Sequence, residues 1–201
     1  MPHWLFVRPR TIRTLRYHSP CGEMLLGAAG DRLCLCNWAQ ELHPGRVEQR
    51  LRIILKAQFE ECGQITETAA SQSRQSDGGA PEQCRTSMPE VLQRTVRELD
   101  EYFRGERMDF DIPLLLAGSD FQKRVWQQLP SIPYGQTASY GELAAAIGSP
   151  RSVRAVANAN GANAISIILP CHRIIGSGGR LTGYGGGLRA KQFLLELEHN
   201  S

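Results

Sequence analysis

Apolar and polar residues alternate over residues 10–17 and again over 23–39, and the second run is broken at Gly30-Asp31. That pattern predicts strands, the later pair joined as a hairpin. The period then lengthens: Val47, Leu51, Ile54, Leu55 and Gln58 recur at helical spacing, which predicts a helix over 46–61. Residues 63–86 show no period and centre on Ser-Arg-Gln-Ser-Asp-Gly-Gly-Ala-Pro, the composition of a long, mobile surface loop. Ser87 as N-cap, Pro89 in the first turn and a stripe of Leu92, Val96, Leu99 and Phe103 predict a second helix ending at Gly105. Alternation of Asp109, Asp111 and Pro113 with Phe110, Ile112 and Leu114 predicts a closing strand. Strands mixed with two helices make residues 1–116 a small α/β domain, in which no catalytic arrangement is visible.

The pattern changes over 117–201. Ser119 caps a helix carrying Phe121, Val125, Trp126 and Leu129, which Pro130, Pro133 and Gly135 terminate. Ser139 and Glu142 have the S-x-x-E spacing of a capping box and start a helix over 140–147. Gly148 ends it, and Ser149 and Pro150 open another. Helix, tight turn, helix is the helix-turn-helix pattern. In its second helix Val153, Val156, Ala157 and Asn160 are spaced to face inward, leaving Arg151, Arg154 and Asn158 together outside. That outer face suits phosphate and base contacts, and equally the solvated side of a packed helical hairpin.

Charge sharpens this reading. Residues 1–116 carry 15 Lys and Arg against 16 Asp and Glu, whereas 117–201 carry 8 against 4, so the C-terminal part is positive within a chain of net charge +3. Such asymmetry points to a polyanionic partner. At 201 residues and 41% hydrophobic, the chain has the composition of a globular protein that holds a core without disulfides or a structural metal. No apolar run approaches the ~18 residues of a membrane span, and Trp4 to Val7 is too short for a signal-peptide core. A cytoplasmic location follows, and the irregular spacing of Cys21, Cys34, Cys36, Cys62, Cys84 and Cys171 fits reduced thiols there. Cys34 and Cys36 share a strand face with Trp38, the placement of packing cysteines rather than metal ligands.

Chemistry concentrates after residue 160. A β-branched apolar run at 165–169 predicts a buried strand or extended segment delivering Pro170-Cys171-His172-Arg173. Neighbours on an extended chain point to opposite faces, so His172 would activate Cys171 through a water rather than directly. A buried, inert cysteine beside a core histidine fits the same four residues. Seven glycines between Gly176 and Gly187 allow close backbone approach to a flat ligand beside Tyr184, or form a flexible turn. They match neither nucleotide-phosphate motif. The last helix, 188–198, places Leu188, Lys191, Leu195 and Glu198 on one face, where Glu198 could orient a histidine or lie exposed at the helix end.

Phe121-Gln122-x-x-Val125-Trp126, Ile132-Pro133-Tyr134-Gly135, Ser139-Tyr140, Arg154-Ala155-Val156, Asn163, Pro170-Cys171-His172-Arg173-Ile174-Ile175, Gly183-Tyr184-x-Gly186-Gly187 and Leu194-Leu195-x-x-Glu198 together resemble the O6-alkylguanine-DNA alkyltransferases. The resemblance covers about residues 117–201, and the N-terminal half is only generally similar. It implies a ribonuclease-H-like α/β domain followed by a winged-helix-like helix-turn-helix domain. It further implies suicide repair of duplex DNA, with the alkyl group of O6-alkylguanine, or of O4-alkylthymine, passing to Cys171 with no cofactor and no metal. The flipped base leaves the stack before the thiolate reaches it. By the same resemblance Arg154 is the finger that fills the gap and Tyr140 rotates the adjoining phosphate and meets guanine N3, while the outward spacing of Arg151 and Asn158 beside Arg154 makes them the further expected DNA contacts. Gly185 offers its amide to O6, Cys171 and Ile174 offer carbonyls to the exocyclic amine, and Asn160, Tyr184 and Lys191 complete the pocket. His172 and Glu198 draw the thiol proton through a water, Asn163 braces the turn and Arg173 supports it. Two positions depart from the family pattern: Ala164 stands where many relatives have proline, and Gly185 where some have serine. The expected partner is double-stranded DNA, the expected state a monomer with no membrane contact. A lesion-binding module lacking chemistry, a helix-turn-helix regulator and a cysteine hydrolase are the rivals. The first is opposed by Cys171, which such modules lack.

Overall fold

The structure, a computed structural model, describes residues 10–40, 45–65 and 88–200. Strands β1 (Arg10–Ser19), β2 (Gly22–Ala29), β3 (Arg32–Trp38) and β4 (Ala57–Ile65) form one sheet in the order β3-β2-β1-β4. The first three are an antiparallel meander turning at Gly30, whose φ of 65° the turn requires. The chain then crosses over through helix α1 (Arg46–Leu55) to lay β4 parallel to β1. A register shift between Thr14 and Leu15 turns both of these neighbours inward, so β1 buries Ile12 and Thr14 before it and Leu15 and Tyr17 after it.

The helix expected over 46–61 stops at Leu55. Lys56 adopts a left-handed φ of 49° and the chain becomes β4. Helical spacing there was misleading, because α1 buries only Val47 and Leu51 while Ile54 stays exposed. Pairing with the open edge of β1 instead satisfies the backbone from Ala57 on and buries Ala57 and Cys62. Residues 63–65, expected in the loop, belong to β4, and residues 66–87, with the rest of that expected loop and the Ser87 cap, lie outside the described residues.

Helix α2 (Glu90–Phe103) packs Leu92, Val96 and Leu99 into the core as its stripe predicts, together with Val91, Thr95 and Tyr102, while Phe103, expected in the stripe, is only half-buried. Its buried Glu98 is satisfied by Arg94 Nε at 2.8 Å and by the amide of Asp111 at 3.0 Å. That use of the Asp111 amide, with the missing donor of Pro113, leaves 109–114 an extended segment rather than the expected strand. It touches the sheet at one bridge, Leu33 with Leu114.

Helix α3 (Asp120–Gln128) starts at a complete capping box of Ser119 and Gln122. The chain continues through a 3₁₀ turn (Leu129–Ser131) and strand β5 (Ala138–Ser139) into helix α4 (Tyr140–Ala146), with Ser139 and Glu142 forming the expected capping box. Helix α5 (Val153–Gly161) starts later than Ser149-Pro150 predicts. Residues 149–151 form a turn closed by the Ser152 amide on Ser149 O at 2.9 Å. The later start rotates the buried face to Val156, Ala159 and Asn160 and leaves Val153 39% exposed. Trp126 Nε1 donates to Ala159 O at 2.8 Å and locks α3 to α5. A 3₁₀ turn (Cys171–Arg173), strand β6 (Ile174–Ile175) parallel to β5, and helix α6 (Gly187–Asn200) complete the chain. In α6 the inward face is Ala190, Lys191, Leu194 and Glu198, whereas Leu188, expected inside, is exposed. No helix among the described residues is long and apolar enough to cross a membrane.

Candidate active site

Residues 165–169 are buried as their apolar character predicts, but they form a turn and not a strand. Asn163 folds them: its Nδ2 donates to Leu169 O at 2.9 Å and Ile165 O at 3.2 Å, and its Oδ1 accepts from Ile165 N at 3.0 Å. Ile167 has φ of 71°, and the Ile168 amide reaches Ser166 O at 2.9 Å. This is the strained γ-turn, rare for any β-branched side chain. The relaxed counterpart follows at Pro170, where Cys171 N donates to Leu169 O at 2.7 Å. Strand β3 holds the assembly from outside, with Cys36 N on Ala164 O at 2.8 Å and Ser166 N on Cys36 O at 2.6 Å. Ala164 is thus tied down by the sheet.

Cys171 faces a cavity of about 890 Å³ bounded by Tyr140, Asn158, Asn160, Tyr184 and Gly185. Burial pushes its thiol pKa up, while the Asn163 side chain, the Lys191 charge and the Ser166 hydroxyl pull it back, so the resting group is the thiol. Asn160 Nδ2 donates to Cys171 O at 3.3 Å, and Asn160 Oδ1 is buried without a partner.

Behind the cysteine lies a buried ionic group. His172 Nε2 meets Glu198 Oε1 at 2.7 Å, so Nε2 carries the proton and Nδ1, which has no partner, presents a lone pair. Burial, opposed by the Glu198 bond, lowers the His172 pKa and keeps the ring neutral. Glu198 also accepts from Arg173 Nε at 2.8 Å, Arg173 Nη2 at 3.0 Å, Tyr102 OH at 2.8 Å and Gly135 N at 3.2 Å. Burial pushes the pKa of this carboxyl up, but His172 and then Arg173 outweigh it and bring it to about 2. Arg173 is anchored further by Nη1 on Ile132 O at 2.6 Å.

Lys191 is fully buried, and its Nζ spans Thr182 O at 2.9 Å and Ile174 O, clamping the glycine-rich loop to β6. Burial lowers its pKa to about 8, which leaves it charged at neutral pH. The Ile174 carbonyl thus already holds one donor. Tyr140 OH accepts from Thr182 Oγ1 at 3.2 Å. Arg151 and Arg154 lie exposed on the turn before α5 and on its first turn, outside the cavity wall.

The N-terminal half contributes more than its sequence suggests. Asn37, Arg46, Val47 and Arg50 line the same cavity, and Arg50 stacks over Trp126 at 5.3 Å. Trp38 packs edge-on against Tyr184, ring centroids 5.9 Å apart. A Cβ on Gly186 would stand 2.5 Å from the Trp38 ring, whereas one on Gly185 would make ordinary contacts at 3.7 Å. Gly186→Ala should therefore cost about 1–3 kcal/mol of stability through overpacking. By displacing Tyr184 it should also slow any reaction at Cys171 by about 10²-fold. Gly185→Ala should leave both nearly unchanged. Thermal unfolding and single-turnover rates of the two variants test the contrast.

A family model described as the 6-O-methylguanine DNA methyltransferase ribonuclease-like domain matches residues 12–116, and one described as the DNA binding domain of the same family matches 120–200. The chain belongs to this family. Methylated-DNA–protein-cysteine methyltransferases of Mycolicibacterium paratuberculosis and Methanosarcina barkeri are 57% and 53% identical to it over 113 and 110 residues. These alignments span 56% and 55% of this chain and 68% and 70% of theirs. The crystal structure of Mycobacterium tuberculosis O6-methylguanine methyltransferase superposes with TM-score 0.71 at 36% identity, covering 94% of this chain and 93% of that one. A structure of that organism's OGT in complex with DNA has TM-score 0.69 at the same identity and coverage. In this 6-O-methylguanine DNA methyltransferase family member, then, both matched regions border one cavity, and Tyr102 and Trp38 from the first reach the residues around Cys171.

Proposed function

We propose that this protein repairs duplex DNA by moving the alkyl group of O6-alkylguanine, and of O4-alkylthymine, onto Cys171, once per molecule. The observation that carries this reading is a buried thiol facing a cavity roomy enough to admit a flipped nucleotide, backed by the neutral imidazole of His172 and its charged partner Glu198. The activity named for the relatives and the DNA held by the Mycobacterium tuberculosis structure support it.

The thiol proton passes through a water to the free Nδ1 of His172, and Glu198 stabilises the imidazolium. Sulfur then attacks the alkyl carbon, the S–C bond forms and the C–O6 bond breaks, with the electron pair leaving on the guanine. Tyr140 at N3 and the Gly185 amide at O6 stabilise that departing charge, and the proton taken from the thiol finally passes from His172 to the departing guanine, leaving it neutral. Cysteine thioether and guanine result, atoms and charge balanced. The thioether offers no leaving group, so the protein is consumed and no cofactor is needed.

Helix α5 enters the minor groove, where Arg154 fills the space of the flipped nucleotide and Arg151 and Asn158 contact the strand. Tyr140 rotates the adjacent phosphate. Exposure of Arg151, Arg154 and Asn158, and the place of Asn158 and the half-buried Tyr140 on the cavity wall, support that assignment. Asn160, Tyr184, Ile174 and Lys191 shape the base pocket, and Asn163 braces the cysteine turn. We assign residues 1–116 to a ribonuclease-H-like support domain and 117–201 to a winged-helix-like domain, in a cytoplasmic monomer. The mixed sheet followed by the capped helix pair and the short β5–β6 ladder supports this division.

Intact-protein mass and peptide mapping after mixing with a duplex carrying one O6-methylguanine test the proposal. A gain of one methylene on the Cys171 peptide, saturating at one equivalent, is expected. Tight lesion binding with no mass change would make the protein a damage-recognition module instead.

A further inference from the structure

Tyr102 is a buried ionisable side chain that the mechanism above does not use. It comes from α2, and its hydroxyl donates 2.8 Å to Glu198 Oε1, the same oxygen that His172 Nε2 meets at 2.7 Å. The phenol is placed by its own neighbours: Phe103, Phe110 and Tyr134 surround its ring at centroid distances of 5.4, 5.5 and 6.1 Å. Arg173 in turn lies over Tyr134 at 5.7 Å.

We infer that Tyr102 is a positioning residue of the proton relay, through which the N-terminal half holds Glu198 Oε1 and limits how much of its charge His172 receives. The inference rests on the proposed alkyl transfer. That oxygen also accepts from Arg173 Nη2 at 3.0 Å, and an oxygen shared among three donors stabilises each less than one shared between two. The charged and titratable groups around His172 and Glu198 are Arg173, Lys191, Tyr102 and Tyr184, with Tyr134 packed on Tyr102 and Arg173, and Cys171 preceding His172 in the chain. Among these, Tyr102 is the neutral hydroxyl donor on the histidine's oxygen. Burial, followed by the charge of Glu198, pushes its pKa well up, so it remains a donor throughout the working range. Holding His172 only moderately basic keeps the imidazole neutral at rest, the form that can take the thiol proton.

Tyr102→Phe removes the hydroxyl and keeps the ring. Glu198 Oε1 then serves His172 more fully, and the histidine becomes more basic. The expected result is an acid limb of the transfer rate on O6-methylguanine duplex moved up by about half to one pH unit, with the plateau within about twofold. NMR titration of labelled His172 in the DNA-free protein should move by the same amount. A fluorinated, more acidic tyrosine at position 102 retains the fold and strengthens the donor, and should move both in the opposite direction. A uniform rate loss with neither titration moved by either replacement would reduce Tyr102 to packing and overturn the inference. Failure of the wild type to alkylate would instead defeat the proposed function, while the His172 titration would still decide the role of Tyr102.

Discussion

Cys171→Ser is expected to lower transfer from O6-methylguanine by at least ~10³-fold, to no detectable mass gain, while leaving the fold and lesion binding intact. A serine hydroxyl is far less acidic than a thiol and is a much weaker nucleophile at neutral pH. Here the handicap is compounded, because burial already opposes ionisation of the thiol and His172 is only a neutral base. The side chain is nearly isosteric and sits in a turn fixed by Asn163 and by the Cys36 backbone, so the fold has no reason to change. Intact mass and lesion-duplex affinity, measured on the same preparation, give the two halves of the test. A persisting mass gain would place the acceptor elsewhere among the free cysteines, of which Cys36 is fully buried and Cys21 only partly so.

Local rules carried helices α2 and α4. Ser139 and Glu142 announce their helix because the capping box uses residues three apart, and the stripe from Leu92 to Leu99 announces α2 for the same reason. The Pro-Cys-His-Arg motif points to the proposed site without any geometry. What the sequence concealed depends on partners distant along the chain. β4 exists because β1 has an open edge, a fact that the helical spacing around Leu51 cannot report. The turn at 165–169 reads as a strand until Asn163 and Cys36 are seen to take its hydrogen bonds.

The largest omission concerns the N-terminal half, which gives no sequence sign of chemistry. Tyr102 continues the α2 stripe, and a buried tyrosine needs a partner for its hydroxyl. That signal existed in the spacing. The identity of the partner, Glu198, did not, because 96 residues separate them. The same holds for Trp38, whose place against Gly186 and Tyr184 follows from β3 lying over the cysteine turn.

Glu198→Gln is expected to cost about 3–5 kcal/mol, because it removes the charge that balances a buried Arg173 and leaves that guanidinium uncompensated. For a chain of this length that corresponds to a fall in Tm of roughly 10 °C. Transfer should fail as well, since the imidazolium formed when His172 takes the thiol proton would lose its counter-ion. Acid titration separates the charge from the shape of the group. The folded pKa of Glu198, about 2, lies below its ordinary value of 4.5, so its contribution to stability is present above about pH 4.5. It is lost progressively as pH falls toward 2, and the total is on the order of 3 kcal/mol. The wild type should therefore lose stability across that window, and the glutamine variant, already deprived of the charge, should show a flatter profile there. Chemical unfolding at pH 7, 4.5 and 3 measures this. Parallel declines in the two proteins would show that carboxylates other than Glu198 govern acid unfolding, and that the Arg173 pair contributes little to holding the cysteine turn on helix α6.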